Sequence, residues 1–423
     1  MKTTAVRLYG TRDLRLEEFD LPEMKDDEII AEVITDGVCM STYKTVEQGA
    51  SHKRVPDDVA EHPIIVGHEL CGRILEVGRR WQDTFTSGDR FALQPSLNYK
   101  GSLDSPGYSY QYIGGSATQV IIPKEVMEAG CLLPYHGDSF FLGSLAEPLS
   151  CIIGAYRAMY HTGKGKVHEM GIKDQGKLAI MGGAGPMGLA AIDYALHSES
   201  SRPSLIVVTD IDQDKLNRAS QCFPPEEAEA AGIELVYLNT HDIDDPARAV
   251  RRMTGGSGFD DVLVMAPVIQ LVEQADNILG EDGCLNFFAG PSQADFLAKV
   301  NFYNIHYLGH HLIGTSGANA EDMKEAMHLI EQGLVNPACM ITHVGGLTSV
   351  VDTVLSLPSI PGGKKLIYNH LDMPLVAIED FASLGKEEKL YADLHAIVGK
   401  KRGMWCAEAE AYLLDHGTSL QRD

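Results

Sequence analysis

The chain has 423 residues, of which 35 are basic and 59 acidic, and its formal net charge is -24. This charge repels phosphate backbones and anionic lipid, so we expect neither nucleic acid nor a membrane as a partner. Hydrophobic residues make up 44% of a chain that is too long for one ordinary compact domain, which predicts a globular protein of two or three domains. The start of the chain lacks the apolar core of a secretion signal, which favours a cytoplasmic location.

The first part of the chain, residues 1–148, contains short apolar runs that alternate with turn residues. The runs are AVRLYG, DEIIAEVIT, CGRILEVG, DRFAL and ATQVIIP, each bounded by Gly, Pro, Asp or Ser. Such runs are typical of strands. We therefore predict a β-rich domain over 1–148.

From residue 149 to 313 the pattern changes to helices and buried strands in alternation. A helical run, CIIGAYRAMYH, is followed by the apolar strand KLAIMG, the helix LAAIDYAL and the strand SLIVVTD, and further strands follow at ELVYL, DDVLVMA and CLNFFAG. Strands that alternate with helices predict an α/β domain built on a doubly wound parallel sheet.

The remainder of the chain divides at about residue 370. Residues 314–370 contain one helical run and two apolar strands, ITHVGGL and GKKLIY, and we predict that they return to the β-rich domain. Residues 371–423 show helical spacing at Leu390, Leu394 and Ile397, and again at Trp405, Ala409, Tyr412 and Leu413. This spacing predicts a C-terminal extension of two amphipathic helices that pack on the body of the protein.

A glycine-rich turn between strand and helix is the most specific local signal. It consists of Gly183, Ala184, Gly185, Pro186, Met187 and Gly188. In a dinucleotide site, Gly183 would permit the tight turn, Gly185 the approach of the pyrophosphate, and Gly188 the close packing of helix on strand. The free N–H groups at the start of the helix would face the phosphates.

The acid expected to bind the adenosine ribose is Asp210, which ends the second strand 22 residues after Gly188. A carboxylate there accepts hydrogen bonds from the ribose hydroxyls and repels a 2′-phosphate, which favours NAD over NADP. Asp212 could share or take this role. Lys215 and Arg218 lie close enough in the sequence to leave NADP possible.

Four residues in the β-rich part have side chains that zinc accepts as ligands, namely Cys39, His68, Glu69 and Glu147. Thiolate, imidazole and carboxylate groups bind catalytic zinc, which keeps one position for water or substrate. Taken singly, each has an ordinary structural explanation, such as a buried thiol or a solvated carboxylate. Their occurrence beside a nucleotide-binding pattern is what points to a metal centre.

On these residues the chain resembles the zinc-dependent branch of the medium-chain dehydrogenase/reductase superfamily, the alcohol and polyol dehydrogenases. The matching stretches are GVCMS, GHELCGRILEVG, SGDR, AEPLSC, GGAGPMG and LIEQGLVNPACMITH, which run in order along the chain. The resemblance implies a GroES-like β-rich catalytic domain, a Rossmann domain, and hydride transfer between NAD, or possibly NADP, and an alcohol or carbonyl carbon. It also implies a homodimer or homotetramer.

The resemblance assigns roles to individual residues. Cys39, His68 and Glu147 match zinc ligands, and Glu69 matches a carboxylate that ligates directly or exchanges with water. Ser41 matches the hydroxyl that relays a proton, and Lys44 falls where several relatives carry a histidine that completes the relay. Many relatives bind a second, structural zinc through four cysteines, but residues 91–123 contain no cysteine, so we expect a single zinc in each chain.

Within this branch the chain is most similar to the L-sorbose-1-phosphate reductases, which implies a ketose phosphate as substrate and glucitol 6-phosphate as product. Lys44, Lys100 and Arg54 are the candidates for binding the phosphate, whereas we expect Lys364 and Lys365 to be a solvated pair of charges. A dehydrogenase of an unphosphorylated polyol, sugar or amino alcohol is the alternative. A non-catalytic NAD(P)H-binding protein is the alternative from another class, because a fold does not fix a function.

Overall fold

The computed structural model describes residues 1–163 and 167–420. Numbered in chain order, the strands are β1 (Lys2–Gly10), β2 (Asp13–Asp20), β3 (Ile29–Val38), β4 (Ile64–Ile65), β5 (Glu69–Val77), β6 (Arg90–Leu93), β7 (Gln119–Ile122), β8 (Leu132–Pro134), β9 (Tyr160–His161), β10 (Glu169–Met170), β11 (Lys177–Met181), β12 (Leu205–Asp210), β13 (Glu234–Asn239), β14 (Phe259–Val264), β15 (Leu279–Phe287), β16 (His311–Gly314), β17 (Ile341–Gly346), β18 (Lys364–Tyr368) and β19 (Val376–Ala377).

The α-helices of the described residues are α1 (Met40–Gln48), α2 (Lys124–Glu128), α3 (Phe140–Ala158), α4 (Pro186–His197), α5 (Gln213–Cys222), α6 (Pro225–Ala230), α7 (Pro246–Arg252), α8 (Ile269–Ile278), α9 (Phe302–Tyr307), α10 (Ala320–Glu331), α11 (Val350–Ser356), α12 (Phe381–Leu384), α13 (Lys389–Gly399) and α14 (Ala407–His416). Within the described part of the chain, no helix combines the length and the hydrophobicity that a membrane span requires.

One compact unit is rich in β-structure and contains Met1–Pro148, Asn319–Gln332 and the chain from Ile341 onward. Its larger sheet has eight strands, with the order β19-β17-β18-β3-β5-β6-β8 and β7 paired to β3. A smaller sheet has the order β2-β1-β4. Strand β3 is apolar and buried along most of its length, because it lies inside the larger sheet between β18 and β5. The predicted β-rich domain is confirmed by this architecture.

The second unit comprises Leu149–Ala318 and Gly333–Met340. Its main sheet has the order β13-β12-β11-β14-β15-β16, and all of its pairings are parallel. Counted from β11, this is the order 3-2-1-4-5-6 of a doubly wound dinucleotide-binding fold. The central strands are rich in buried Val, Ile, Leu and Ala, as expected when helices cover both faces of a parallel sheet. The predicted Rossmann architecture is confirmed.

The helix that crosses the predicted domain boundary at residue 148 is longer than predicted. Helix α3 begins at Phe140 and ends at Ala158, and Tyr160–His161 form β9 rather than the end of a helix. A proline in a helix interior removes a backbone hydrogen bond and usually interrupts the helix, yet Pro148 lies inside α3. The predicted helical run, from residue 151 to residue 161, was therefore wrong at both ends.

The C-terminal extension forms α13 and α14, the two helices that were predicted, and also the short helix α12, which was not predicted. The apolar positions Leu394, Ile397, Ala409 and Leu413 are buried. A buried acid on α14, Glu410, accepts hydrogen bonds from the backbone N–H of Phe140 at 2.6 Å and of Phe141 at 2.9 Å. The carboxylate thus satisfies two of the free N–H groups at the start of α3.

Replacement of Glu410 by alanine is expected to destabilise the protein by about 2 kcal/mol, because two buried N–H groups lose their acceptor. The hydroxyl of Tyr368, which donates to Glu410 at 3.0 Å, would lose its acceptor as well. The free energy of unfolding in urea would measure the loss. Glu408, on the same helix but largely exposed, is the matched control, and an equal effect of Glu408→Ala would contradict the capping role.

Candidate active site

The first candidate metal ligand lies where the chain leaves a strand and enters a helix. Cys39 follows β3 and occupies the N-cap position of α1, with an extended backbone. The Ser41 hydroxyl in the first turn donates to Cys39 Sγ at 3.0 Å and lies 3.1 Å from His68 Nε2. The predicted relay hydroxyl is therefore in contact with two predicted ligands.

Glycines allow His68, just before β5, and Glu69, the first residue of β5, to take their places. Gly67 has φ of +92°, a conformation that favours glycine. In the β3–β5 pairing Gly37 faces Glu69, and a Cβ on Gly37 would lie 2.1 Å from Glu69 Oε2. A side chain at position 37 would consequently displace the carboxylate.

Three of the four predicted ligands lie together. Cys39, His68 and Glu69 each present one ligand atom, and these atoms all lie within 4.8 Å of one another. His68 is 4% exposed and Glu69 1%, and Glu69 Oε2 has no hydrogen-bond partner among the described residues. A buried carboxylate oxygen without a donor is costly, and a cation would satisfy it. Thiolate, imidazole and carboxylate form a donor set that fits zinc.

The fourth predicted ligand, Glu147, lies in the middle of α3 and is 7% exposed. It is not one of the three residues in the compact cluster. Burial lowers the pKa of His68, and the negative charge of Glu147 opposes this effect. The same charge adds to the effect of Cys39 and Glu69, which raise the pKa of Lys364. Glu147 is therefore near the cluster electrostatically, and its role as a ligand stays a prediction.

The expectation for Lys364 and Lys365 was wrong, because both side chains are buried. They lie on β18, an inner strand between β17 and β3. Lys364 is 6% exposed, and its Nζ donates to Glu69 Oε1. Lys365 Nζ instead donates to the carbonyl oxygens of residues 360, 361 and 363. The sequence placed no partner near Lys364, since Glu69 is 295 residues away.

Burial and neighbouring charges set the protonation of the cluster. Burial raises the pKa of Glu69 to about 7, although the Lys364 ammonium opposes this effect. Burial lowers the pKa of His68, against the charges of Glu147 and Glu69, so the neutral imidazole that binds metals is favoured. Burial alone would lower the pKa of Lys364, but Cys39 and Glu69 outweigh it and raise that pKa.

Sequence reasoning missed Tyr108. Its hydroxyl lies 3.3 Å from His68 Nε2, and its ring centre lies 4.9 Å from that of His68. Burial raises the pKa of Tyr108 well above its ordinary value, so the hydroxyl stays protonated. Tyr108 lies in the cysteine-free stretch between residues 91 and 123, and no spacing motif in that stretch marks it.

The glycine-rich turn joins β11 to α4, as predicted. The positive φ falls on Gly182, at +65°, and not on Gly183, which was expected to make the tight turn. Gly183 is required for another reason, because a Cβ there would lie 2.6 Å from the Ile180 carbonyl oxygen. A Cβ on Gly188 would lie 2.0 Å from the Gly183 carbonyl oxygen, whereas nothing lies within 4 Å of one on Gly185. The turn is therefore tight at Gly188 and open at Gly185.

The two acids after β12 have different surroundings. Asp210 accepts hydrogen bonds from the N–H groups of Ala184 at 3.2 Å, Ile211 at 2.9 Å and Asp212 at 3.1 Å. It thus ties the end of β12 to the glycine-rich turn. Asp212 instead caps α5, accepting from the N–H groups of residues 214 and 215. Of the two, Asp210 is the one in contact with the turn.

Comparison with known proteins identifies the family. The model of the zinc-binding dehydrogenases matches residues 186–332, and that of the alcohol dehydrogenase GroES-like domain matches residues 25–130. An L-sorbose 1-phosphate reductase of Klebsiella pneumoniae is 48% identical over 422 residues, which cover 100% of this chain and 99% of the relative. The chain belongs to the zinc-binding dehydrogenase family. The resemblance found in the sequence is thereby confirmed.

A second relative and a solved structure agree with this assignment. A mannitol-1-phosphate 5-dehydrogenase of Aliivibrio fischeri is 49% identical to this dehydrogenase over 415 residues, or 98% of each chain. The crystal structure of 2R,3R-butanediol dehydrogenase from Bacillus subtilis superposes with a TM-score of 0.70, covering 87% of this dehydrogenase and 99% of that chain at 18% identity. At that identity the structural likeness shows the fold.

Proposed function

We propose that this dehydrogenase transfers a hydride between NAD(P)H and a ketose phosphate, with reduction of L-sorbose 1-phosphate to glucitol 6-phosphate as the preferred reaction. The observation that carries the proposal is the compact cluster of Cys39, His68 and Glu69 in a chain whose relatives at 48% and 49% identity are named for sugar phosphates. The predicted cytoplasmic location and homodimer or homotetramer belong to the same proposal.

Cys39, His68 and Glu69 would hold a single zinc, with Glu147 as the further predicted ligand. Zinc, when bound, supplies a Lewis acid that stabilises negative charge on the substrate oxygen by several kcal/mol. Lys364 Nζ donates a hydrogen bond to Glu69 Oε1, while Oε2 has no hydrogen-bond partner among the described residues. The lysine thus orients the carboxylate and leaves one oxygen for the cation.

Proton movement would begin at Ser41. Its hydroxyl lies in the first turn of α1 beside Cys39 and His68, so it is placed to give a proton to the substrate oxygen as hydride arrives. A positioned group of this kind contributes about 10²- to 10⁴-fold to a rate. Lys44, half-buried one turn further along α1, is the proposed next group in the proton relay.

Binding of the dinucleotide would use Gly183, Gly185, Pro186, Met187 and Gly188. Gly185 caps α4 and Pro186 is its first residue, so the open N-terminus of the helix would bind the pyrophosphate. Asp210 would accept hydrogen bonds from the ribose hydroxyls while its other contacts hold the turn. The proposed preference is for NAD, with NADP as the second choice.

Replacement of Asp210 by asparagine is expected to shift the ratio of NADH to NADPH affinity by about 10- to 100-fold toward NADPH. The variant keeps the size of the side chain but loses a charge-assisted hydrogen bond of about 1.5–3 kcal/mol and the repulsion of a 2′-phosphate. Fluorescence titration with each reduced cofactor measures the two dissociation constants. Asp214, exposed in the first turn of α5, provides the control. A shift caused by Asp212→Asn and not by Asp210→Asn would move the ribose role to Asp212.

The proposed reaction is tested by NADH oxidation with L-sorbose 1-phosphate, with and without a zinc chelator, beside the reverse assay on D-mannitol 1-phosphate. We expect chelator-sensitive activity on L-sorbose 1-phosphate. Activity on free sorbitol but on neither phosphate ester would favour the dehydrogenase of an unphosphorylated polyol, sugar or amino alcohol. Protein that binds NADH but retains no zinc would favour the non-catalytic alternative.

A further inference from the structure

An arginine lies beside the metal-ligand cluster, separated from it by one aromatic ring. Arg54 Cζ lies 5.2 Å from the centre of the Tyr108 ring, and the Tyr108 hydroxyl lies 3.3 Å from His68 Nε2. The guanidinium therefore lies one aromatic ring away from a predicted zinc ligand.

Hydrogen bonds and ring contacts fix the backbone around Arg54. The Ser109 hydroxyl donates to the Arg54 carbonyl oxygen at 2.7 Å, and the Arg54 N–H donates to His52 Nδ1 at 3.3 Å. The His52 ring stacks on Tyr108 with 5.8 Å between the ring centres. The segment that carries Arg54 is thus tied to the turn that carries Tyr108, which restricts the guanidinium before any ligand binds.

The guanidinium itself has few acceptors. Its Nε is buried and has no hydrogen-bond partner in the described part of the chain, and the contact of Nη1 with Ser105 Oγ is long, at 3.5 Å. Among the described residues no carboxylate pairs with Arg54, although the chain has 59 acidic residues for 35 basic ones. A half-buried guanidinium with unused donors is unfavourable, and an anion would satisfy it.

We propose that Arg54 binds the phosphate of the substrate and so sets the preference for phosphorylated over free ketoses. This inference rests on the proposed function, because it names the group that recognises the phosphate in that reaction. The planar guanidinium of arginine can donate two parallel hydrogen bonds to two oxygens of one phosphate. Among the other sequence candidates, Lys100 is exposed and its ammonium lies 4.7 Å from the centre of the Tyr99 ring, without a contact to the metal ligands.

The test compares L-sorbose 1-phosphate with L-sorbose in wild type, Arg54→Gln and Arg54→Lys, always with NADH so that no 2′-phosphate enters on the cofactor. In Arg54→Gln we expect kcat/KM for the phosphate ester to fall about 10- to 100-fold, since a hydrogen bond to a charged group is worth about 1.5–3 kcal/mol. For L-sorbose the change should stay within about threefold. Arg54→Lys should recover part of the loss in kcat/KM, because it restores the positive charge but not the planar set of N–H donors.

Direct binding provides a readout that does not depend on turnover. Inorganic phosphate and glucitol 6-phosphate are titrated calorimetrically into each variant, and both affinities should weaken in Arg54→Gln. Lys53→Gln is the matched control, because Lys53 is the exposed neighbour of Arg54 and its loss changes the net charge equally. If Lys53→Gln weakened these affinities equally, the effect of Arg54→Gln would come from the change in net charge alone, and the proposal would be overturned.

The outcomes separate this inference from the function on which it rests. A wild-type enzyme without preference for phosphate esters would refute the proposed substrate class. A wild-type preference that survives Arg54→Gln, or that disappears in Lys44→Gln alone, would refute the role of Arg54 and leave the proposed reaction intact. Retained zinc content and retained activity on L-sorbose establish that Arg54→Gln is folded.

Discussion

Replacement of Cys39 by alanine is expected to lower kcat/KM by about 10³-fold or more and to remove most of the bound zinc. The thiolate supplies one of the three ligand atoms that lie within 4.8 Å of one another. If zinc stabilises the developing alkoxide by about 4 kcal/mol, its loss corresponds to about 10³-fold in rate. Metal analysis of the purified variant and steady-state kinetics with L-sorbose 1-phosphate measure the two effects.

A second cysteine serves as the control for this experiment. Cys131 is buried among apolar residues of the same unit, and burial raises the pKa of its thiol to about 11, so it remains an uncharged thiol. Cys131→Ala should retain zinc and activity and lose only some stability. The metal centre as proposed is wrong if Cys39→Ala keeps its zinc and its rate.

Replacement of Lys364 by methionine is expected to destabilise the chelator-treated protein by about 3–5 kcal/mol. Lys364 and Glu69 form a buried ion pair, with side chains 6% and 1% exposed. Removal of one partner from such a pair leaves an uncompensated buried charge, which is far more costly than loss of an exposed pair. Urea unfolding of the metal-free protein measures the change. Added zinc should restore part of the stability, because the cation replaces the ammonium as the partner of Glu69.

Two further variants make this prediction specific. The double variant Glu69→Gln/Lys364→Met should recover much of the lost stability in the metal-free protein, since no charge is then left without a partner. Lys2 pairs with Glu18 on the surface of the same unit, with side chains 59% and 35% exposed, so Lys2→Met should cost less than about 1 kcal/mol. Equal costs for Lys364→Met and Lys2→Met would contradict the buried pair.

The local sequence was sufficient to predict the strands and the glycine-rich turn of the nucleotide-binding unit. The apolar runs that end at Met181 and Asp210 became parallel strands, because a sheet covered on both faces requires continuous hydrophobic strands. The glycine motif predicted the turn, but not that Gly182 takes the positive φ in place of Gly183. Both residues are glycine, and only the path of the backbone distinguishes them.

The ligand types of the metal cluster could also be predicted from the sequence, because thiolate, imidazole and carboxylate are chemically distinctive. That Cys39 and Glu69 lie together follows from the pairing of β3 with β5, in which Gly37 faces Glu69. Strand register depends on the whole sheet. The sequence could name these residues, and the sheet brought them together.

The amino-acid sequence by itself determined the α/β class, the β-rich and Rossmann halves, the helical extension and the chemistry of the ligand set, since these depend on local periodicity and residue type. Only the tertiary structure decided that Lys364 pairs with Glu69, that Tyr108 lies beside His68 and Arg54 beside Tyr108, and that Glu410 caps α3. The physical reason is that these contacts join residues far apart in the chain, and burial of polar groups makes them strong only once the fold has excluded water.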